Sequence, residues 1–279
     1  MSETSSTLNK RARTPVFVLL VLLALTILYP VALMAMSSLR TNADYQKNPF
    51  GLPEAVSLDN FINLINNYGV GQAALNSVMV VCSGVVLTLA LATLASYALA
   101  KLPVPRAKYI NAAFLSVMLI PSQVLIIPLY LLLSKAQLVG SFPGLILVYV
   151  ATGLPFSVFF LTLSFKAIPD QVIEAARIDG AGFARTLRSI VMPMGGAAIA
   201  TLAVLQFLAM WNELLFAYIL LPDPSMVLLT PALTQVGTRF VSDQPLLSAG
   251  LLLTALPPTL LLIFTSKYMM RGLAVGATR

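Results

Sequence analysis

The apolar residues of this chain fall in long unbroken blocks instead of periodic stripes. Six blocks stand out, at about 16–39, 74–100, 108–133, 142–165, 194–221 and 247–270. Each reaches the roughly 20 residues that a helix needs to cross about 30 Å of hydrocarbon. The pattern therefore predicts an all-α membrane protein with six transmembrane helices. Prolines 30, 121, 128, 155, 257 and 258 lie inside these blocks and predict kinked helices, tolerated in lipid when neighbours resupply the lost backbone partners. Such kinks serve either packing or a gate. The first block follows a polar stretch with Lys10, Arg11 and Arg13. It is longer than the roughly 7–15 residue core of a cleavable signal, so it reads as a retained anchor.

The polar stretches divide the chain into a tail (1–15), an anchor helix (16–39), an extracytoplasmic loop (40–70), a five-span core (71–266) and a second tail (267–279). Within the loop, Ser57–Asn67 predicts a surface helix with Ser57 as N-cap and Leu58, Phe61, Ile62 and Ile65 as its apolar face. It would rest on the membrane or its neighbours, or help form a receptor platform. The stretch 222–246 is stiffened by Pro222, Pro224, Pro231 and Pro245.

Charge fixes the orientation. Of the 17 Lys and Arg residues, thirteen flank the spans on one side: the first tail, 101–108, 166–189 and the C-terminal end. Only Arg40, Lys47, Lys135 and Arg239 fall on the other. Basic residues collect on the cytoplasmic side, so both termini and the 166–189 loop are expected there. The net charge of +7 then reads as topology, with no nucleic acid implied. At 58% hydrophobic and 10% charged, the chain is far from the roughly 25% charge of soluble domains. Its single cysteine, Cys82, excludes an internal disulfide.

Several chemistries are missing. The chain has no histidine, which removes His-based catalysis and His metal sites. No glycine precedes a lysine, so the phosphate-binding loop is absent. Of ten carboxylates only Glu213 lies within an apolar block. That is thin provision for an ion-coupled carrier, which uses buried ionisable partners along its path.

One polar island remains, Pro169–Pro193. Asp170, Glu174 and Arg177 share one face of a helix, while Val172, Ala175 and Ala176 occupy another. Pro169 suits its start and Gly180 the left-handed position after its end. A second short helix, Phe183–Ser189, would carry Arg185 and Arg188. The elbow is either an interfacial feature whose arginines snorkel to lipid phosphates or a docking surface for a soluble partner. The small Ala175 and Ala176 would let a partner backbone approach.

The spacing of Glu174-Ala175-Ala176, Gly180, Ile190 and Met192-Pro193 resembles the EAA loop of ABC importer permeases: EAA, three residues, G, nine residues, I, one residue, LP. Asp179-Gly180-Ala181 is similar to the carbohydrate-uptake, maltose-type branch. So are Pro128-Leu129-Tyr130, Gly144-Leu145-Ile146, Trp211-Asn212-Glu213 and Gly272…Gly276-Ala277. Leu187 stands where that branch has phenylalanine and Met192 where it has leucine, both expected on buried faces.

The resemblance implies an ABC type I importer permease fold with a cytoplasmic coupling helix, in a bacterial or archaeal inner membrane. It implies a sugar substrate, a second homologous permease, two ATP-binding subunits and an extracytoplasmic solute-binding protein. The chain itself would hold no cofactor, with ATP and Mg bound by partner subunits. Coupling would fall to Glu174, Ala175, Ala176, Asp179, Gly180 and Arg185. Trp211, Asn212 and Glu213 would lie at a subunit interface or line the pore. A permease for glycerol phosphate, a secondary carrier and a non-transporting scaffold are the competing readings.

Overall fold

In a computed structural model, the backbone is described for residues 4–239 and 243–277, and side chains for 15–234 and 243–266. No strand occurs among the described residues. The chain divides into two compact units, residues 1–69 with 235–253, and residues 70–234 with 254–279.

The first unit begins with α1 (Thr4–Ser38), so helix already runs through most of the expected polar tail. The large apolar side chains between Val16 and Val31 are 40–70% exposed. A surface of that kind is stable against lipid and not against water. After α1 the chain folds into a knot around Arg40, which is only 2% exposed. Its Nε and Nη2 donate to the two carboxylate oxygens of Asp44 at 2.9 and 3.0 Å. Its remaining donors reach the carbonyls of Asp44 and Gly51. Thr41 caps α2 (Asn42–Lys47) through the Asp44 amide, and Asn60 donates to the carbonyls of Ser38 and Arg40.

The hydrogen bond from Arg40 holds the Asp44 carboxyl below the usual carboxylate range, against the opposing effect of burial. A depressed folded-state pKa gives stability that is present above the unfolded value, about 3.9, and lost as pH falls through the folded one. Hydrogen exchange at the amides of 41–54 is therefore expected to stay slow from pH 7 to 5. Loosening of the knot already at pH 5–6 would contradict the pairing.

The surface helix forms as α3 (Asp59–Asn67), two residues later than expected. Ser57 Oγ still accepts from the Asp59 amide at 3.0 Å. Leu64 packs inward and is fully buried, while the apolar face of Leu58, Ile62 and Ile65 is more than half exposed and Phe61 is half-buried. Periodicity located an apolar stripe but not the side that is covered.

The second unit is built on α4 (Val70–Lys101), α7 (Phe142–Lys166) and α11 (Gly196–Trp211). Small residues let these helices approach closely, which is how helices associate where lipid removes the hydrophobic drive. A Cβ on Gly84 would meet Met210 Sδ at 2.9 Å, and one on Gly153 would meet Gln206 Oε1 at 2.7 Å. Ser96 Oγ donates to the Val158 carbonyl, and Gln206 Nε2 to Ser157 Oγ and the Gly153 carbonyl.

Among the described residues, four helices are long and apolar enough to cross a membrane: Pro15–Ser38, Val70–Lys101, Phe142–Lys166 and Gln244–Ser266. The last of these belongs to α14 (Gln244–Ala277). Two bent pairs bring the number to six if each is one span. The block at 108–133 is such a pair: α5 (Ala107–Val117), a break at Pro121, a 3-10 turn, then α6 (Ile126–Lys135), turning through 87°. Pro121 marks that break, whereas Pro155 sits inside an uninterrupted α7. The block at 194–221 also differs from a single helix. The second bent pair joins Phe183–Met194, ahead of the block, to α11, turning through 78° at Gly195, where a Cβ would lie 2.5 Å from the Phe165 ring. The block itself breaks at 212–214 before α12 (Leu215–Leu220). A 3-10 turn at Pro224–Met226 and α13 (Leu229–Arg239) follow.

Candidate functional site

The polar island is a helical elbow. α8 (Asp170–Ile178) starts after Pro169, whose extended backbone places it at the N-cap, in line with its expected role at the helix start. Gly180 has φ +78. The Gly180 amide bonds the Arg177 carbonyl at 3.0 Å and the Ala181 amide bonds the Ala176 carbonyl at 2.9 Å. This pair of bonds closes a Schellman turn, which requires the left-handed residue after the helix. α9 (Phe183–Thr186) then leads through a π turn at Leu187–Val191 into α10 (Met192–Met194).

The elbow is rooted in the bundle. Ile173, Leu187 and Val191 join a core cluster with Leu99, Val158, Leu161, Phe165 and Leu202. On α8 the buried positions are Ile173 and Ala176, while Val172 and Ala175 are exposed. The expected Val172–Ala175–Ala176 face is thus split between bundle and surface. Leu187 is buried as expected, but Met192 is 39% exposed.

The expected charged face also separates into two functions. Asp170 accepts from Lys101 Nζ at 2.6 Å, and Arg177 Nη2 donates to the Lys101 carbonyl at 3.2 Å. Glu174 is exposed and makes no hydrogen bond or ion pair among the described residues. Beside it, an open cleft of about 310 Å³ is lined by Val172, Ala175, Ala176, Asp179, Ala181, Arg185, Ser189 and Ile190. The sequence-named residues Ala175, Ala176, Asp179 and Arg185 therefore line one concavity, mixing small apolar walls with one acidic and one basic group. The lining is made of apolar side chains with one carboxylate, one guanidinium and one hydroxyl.

Trp211, Asn212 and Glu213 lie where α11 ends. Trp211 is 3% exposed, stacks on Phe207 and donates Nε1 to the Thr254 carbonyl at 3.0 Å. Asn212 is exposed and bonds the Leu208 carbonyl of its own helix. Glu213 accepts from the Phe216 and Ala217 amides at 2.9 and 3.2 Å and from Tyr149 Oη at 3.2 Å. Its carboxylate thus satisfies the free amides that a helix start leaves in a span. The partners of Glu213 lie within this chain. Sequence reasoning passed over Tyr149, Gln206 and Lys101. The first two could have been found as isolated polar groups within apolar blocks.

Residues 92–274 match the family described as binding-protein-dependent transport system inner membrane component. The chain belongs to that family. Its relatives include the diacetylchitobiose uptake system permease protein NgcG of Streptomyces coelicolor, 32% identical over 94% of this chain and 87% of that protein. The arabinooligosaccharides transport system permease protein AraQ of Halalkalibacterium halodurans is 30% identical over 92% of this chain and 93% of that protein. A crystal structure of a bacterial ABC transporter that imports the acidic polysaccharide alginate superposes with a TM-score of 0.81. That match covers 96% of this chain and 98% of that one, at 20% identity. At that identity the likeness concerns fold: this chain has an ABC importer permease fold. Permeases of this family are membrane transport subunits and not enzymes.

Proposed function

We propose that this permease is one of two membrane subunits of an ATP-driven sugar importer, coupled to ATP-binding subunits through the elbow. The observation that carries the coupling is the cleft on the elbow. An unpartnered Glu174 stands beside small residues, Asp179 and Arg185, on a turn locked by Gly180 and rooted in the core. A helix–turn–helix fixed to the bundle on one side and open on the other suits a structure that receives force. The EAA-loop spacing of the same residues supports this reading.

The saccharide names of the relatives support a di- or oligosaccharide substrate. In this reading both termini and the elbow face the cytoplasm. A second, similar permease completes the path, and a solute-binding protein delivers sugar to the other face. ATP and Mg reside in the partner subunits. The working division is a tail to residue 15, an anchor to 39, a loop to 70, a core to 266 with the elbow at 169–193, and a terminal tail.

A cysteine at position 175, introduced into a Cys82→Ser background, is expected to cross-link to the co-purifying ATP-binding subunit. Cross-linking should be strong in membranes and altered by nucleotide. Reaction with lipid reagents alone would overturn the proposal.

A further inference from the structure

The last turn of α4 grips both arms of the elbow. Tyr97 and Lys101 are four residues apart and so share one face of that helix. Lys101 reaches α8: its side chain is 3% exposed, and its Nζ donates to Asp170 and to the Ile168 carbonyl just before that helix. Arg177, near the other end of α8, donates back to the Lys101 carbonyl. Tyr97 reaches α9: its ring, 1% exposed, lies 4.9 Å from that of Phe183. Neither residue belongs to the EAA spacing.

The covalent route from α7 into α8 is the short link 167–169, whose backbone torsions are soft. Core packing of Ile173, Leu187 and Val191 and the run through α10 into α11 also hold the elbow. The contacts from α4 add a directional grip, because they hold both arms at once. α4 itself contains no proline and spans 32 residues, about 48 Å at 1.5 Å per residue. Near its other end Asn76 Nδ2 donates to the Ser225 and Val227 carbonyls, both at 3.1 Å. Ser77 Oγ accepts from the Leu229 amide at 2.8 Å. One uninterrupted helix therefore holds the elbow at one end and segment 225–229 at the other.

We propose that Tyr97 and Lys101 are positioning residues of the coupling step, clamping the elbow to α4 so that the two move as one body and carry segment 225–229 with them. The proposal rests on the elbow being the ATPase contact, and its test separates the two ideas. Spin labels are placed at Ile178→Cys and Leu75→Cys in a Cys82→Ser background, both sites being well exposed. The full complex is measured without nucleotide and after trapping with ATP and vanadate.

The intact clamp gives one narrow label-to-label distance in both states. Lys101→Arg, which can still donate to Asp170 and the Ile168 carbonyl, keeps it. The Tyr97→Leu/Lys101→Met pair loses the single distance on trapping, while the position-175 cross-link persists. The proposal is overturned if that pair keeps the narrow distance, or if Lys101→Arg loses it as well, since the clamp would then be general packing. Absence of the cross-link in the parent protein would instead remove the ATPase contact, and the distances would still report whether the clamp exists.

Discussion

Replacing Gly180 by aspartate is expected to abolish sugar uptake while the protein still inserts in the membrane. The backbone at Gly180 has φ +78, and nothing lies within 4 Å of where a Cβ would stand. Crowding is therefore absent, and two other effects remain. A left-handed backbone costs an L residue about 1–2 kcal/mol, which loosens the turn that sets the angle between α8 and α9. The carboxylate also adds a second negative charge beside Asp179, at the lip of the proposed docking cleft. Gly180→Asn isolates the charge, because asparagine and aspartate tolerate the left-handed conformation alike and only aspartate is charged. Asparagine should cost less than about tenfold in uptake, since tenfold corresponds to 1.4 kcal/mol. Aspartate should leave no measurable uptake at equal membrane abundance by immunoblot. Equal, wild-type uptake in both variants would remove the elbow from the mechanism.

Glu213→Ala is expected to lower stability more than any change at Trp211's exposed neighbour Asn212. Removal of the carboxylate leaves the Phe216 and Ala217 amides and the Tyr149 hydroxyl without their acceptor. Each orphaned buried group costs about 1–3 kcal/mol, so a loss on the order of 3 kcal/mol is expected for the set. In detergent this should appear as a clear fall in the thermal midpoint. Glu213→Gln, which keeps one carbonyl acceptor, should lose less than half as much. A changed substrate affinity with an unchanged midpoint would instead make Glu213 part of the pore lining. Three donors from the same chain meet the Glu213 carboxylate at the break after α11.

The two sites differ in how far the sequence reached them. Gly180 was legible because a glycine after a short amphipathic helix has one common conformational role. The direction of α8 was not legible: Val172 and Ile173 are adjacent, and only packing in the core cluster that also holds Leu187 and Phe165 decides that Ile173 turns inward. At Glu213 the sequence showed a carboxylate in an apolar block. It did not show that the helix breaks there or that Tyr149, 64 residues away on α7, donates to the carboxylate at the break. The same applies to Lys101, which counts as a topology signal in the sequence and is a buried tether in the fold.

The sequence by itself determined the solvent and the class. Blocks of twenty or more apolar residues can satisfy their backbone in lipid only as regular hydrogen-bonded structure, and this does not depend on what packs against them. It also determined the elbow's existence, since capping and spacing are local. Tertiary structure decided where helices break, which face of α3 and α8 is covered, and which charges are tied down. Those outcomes depend on partners distant in the chain, and a pattern along one strand of sequence holds no record of them.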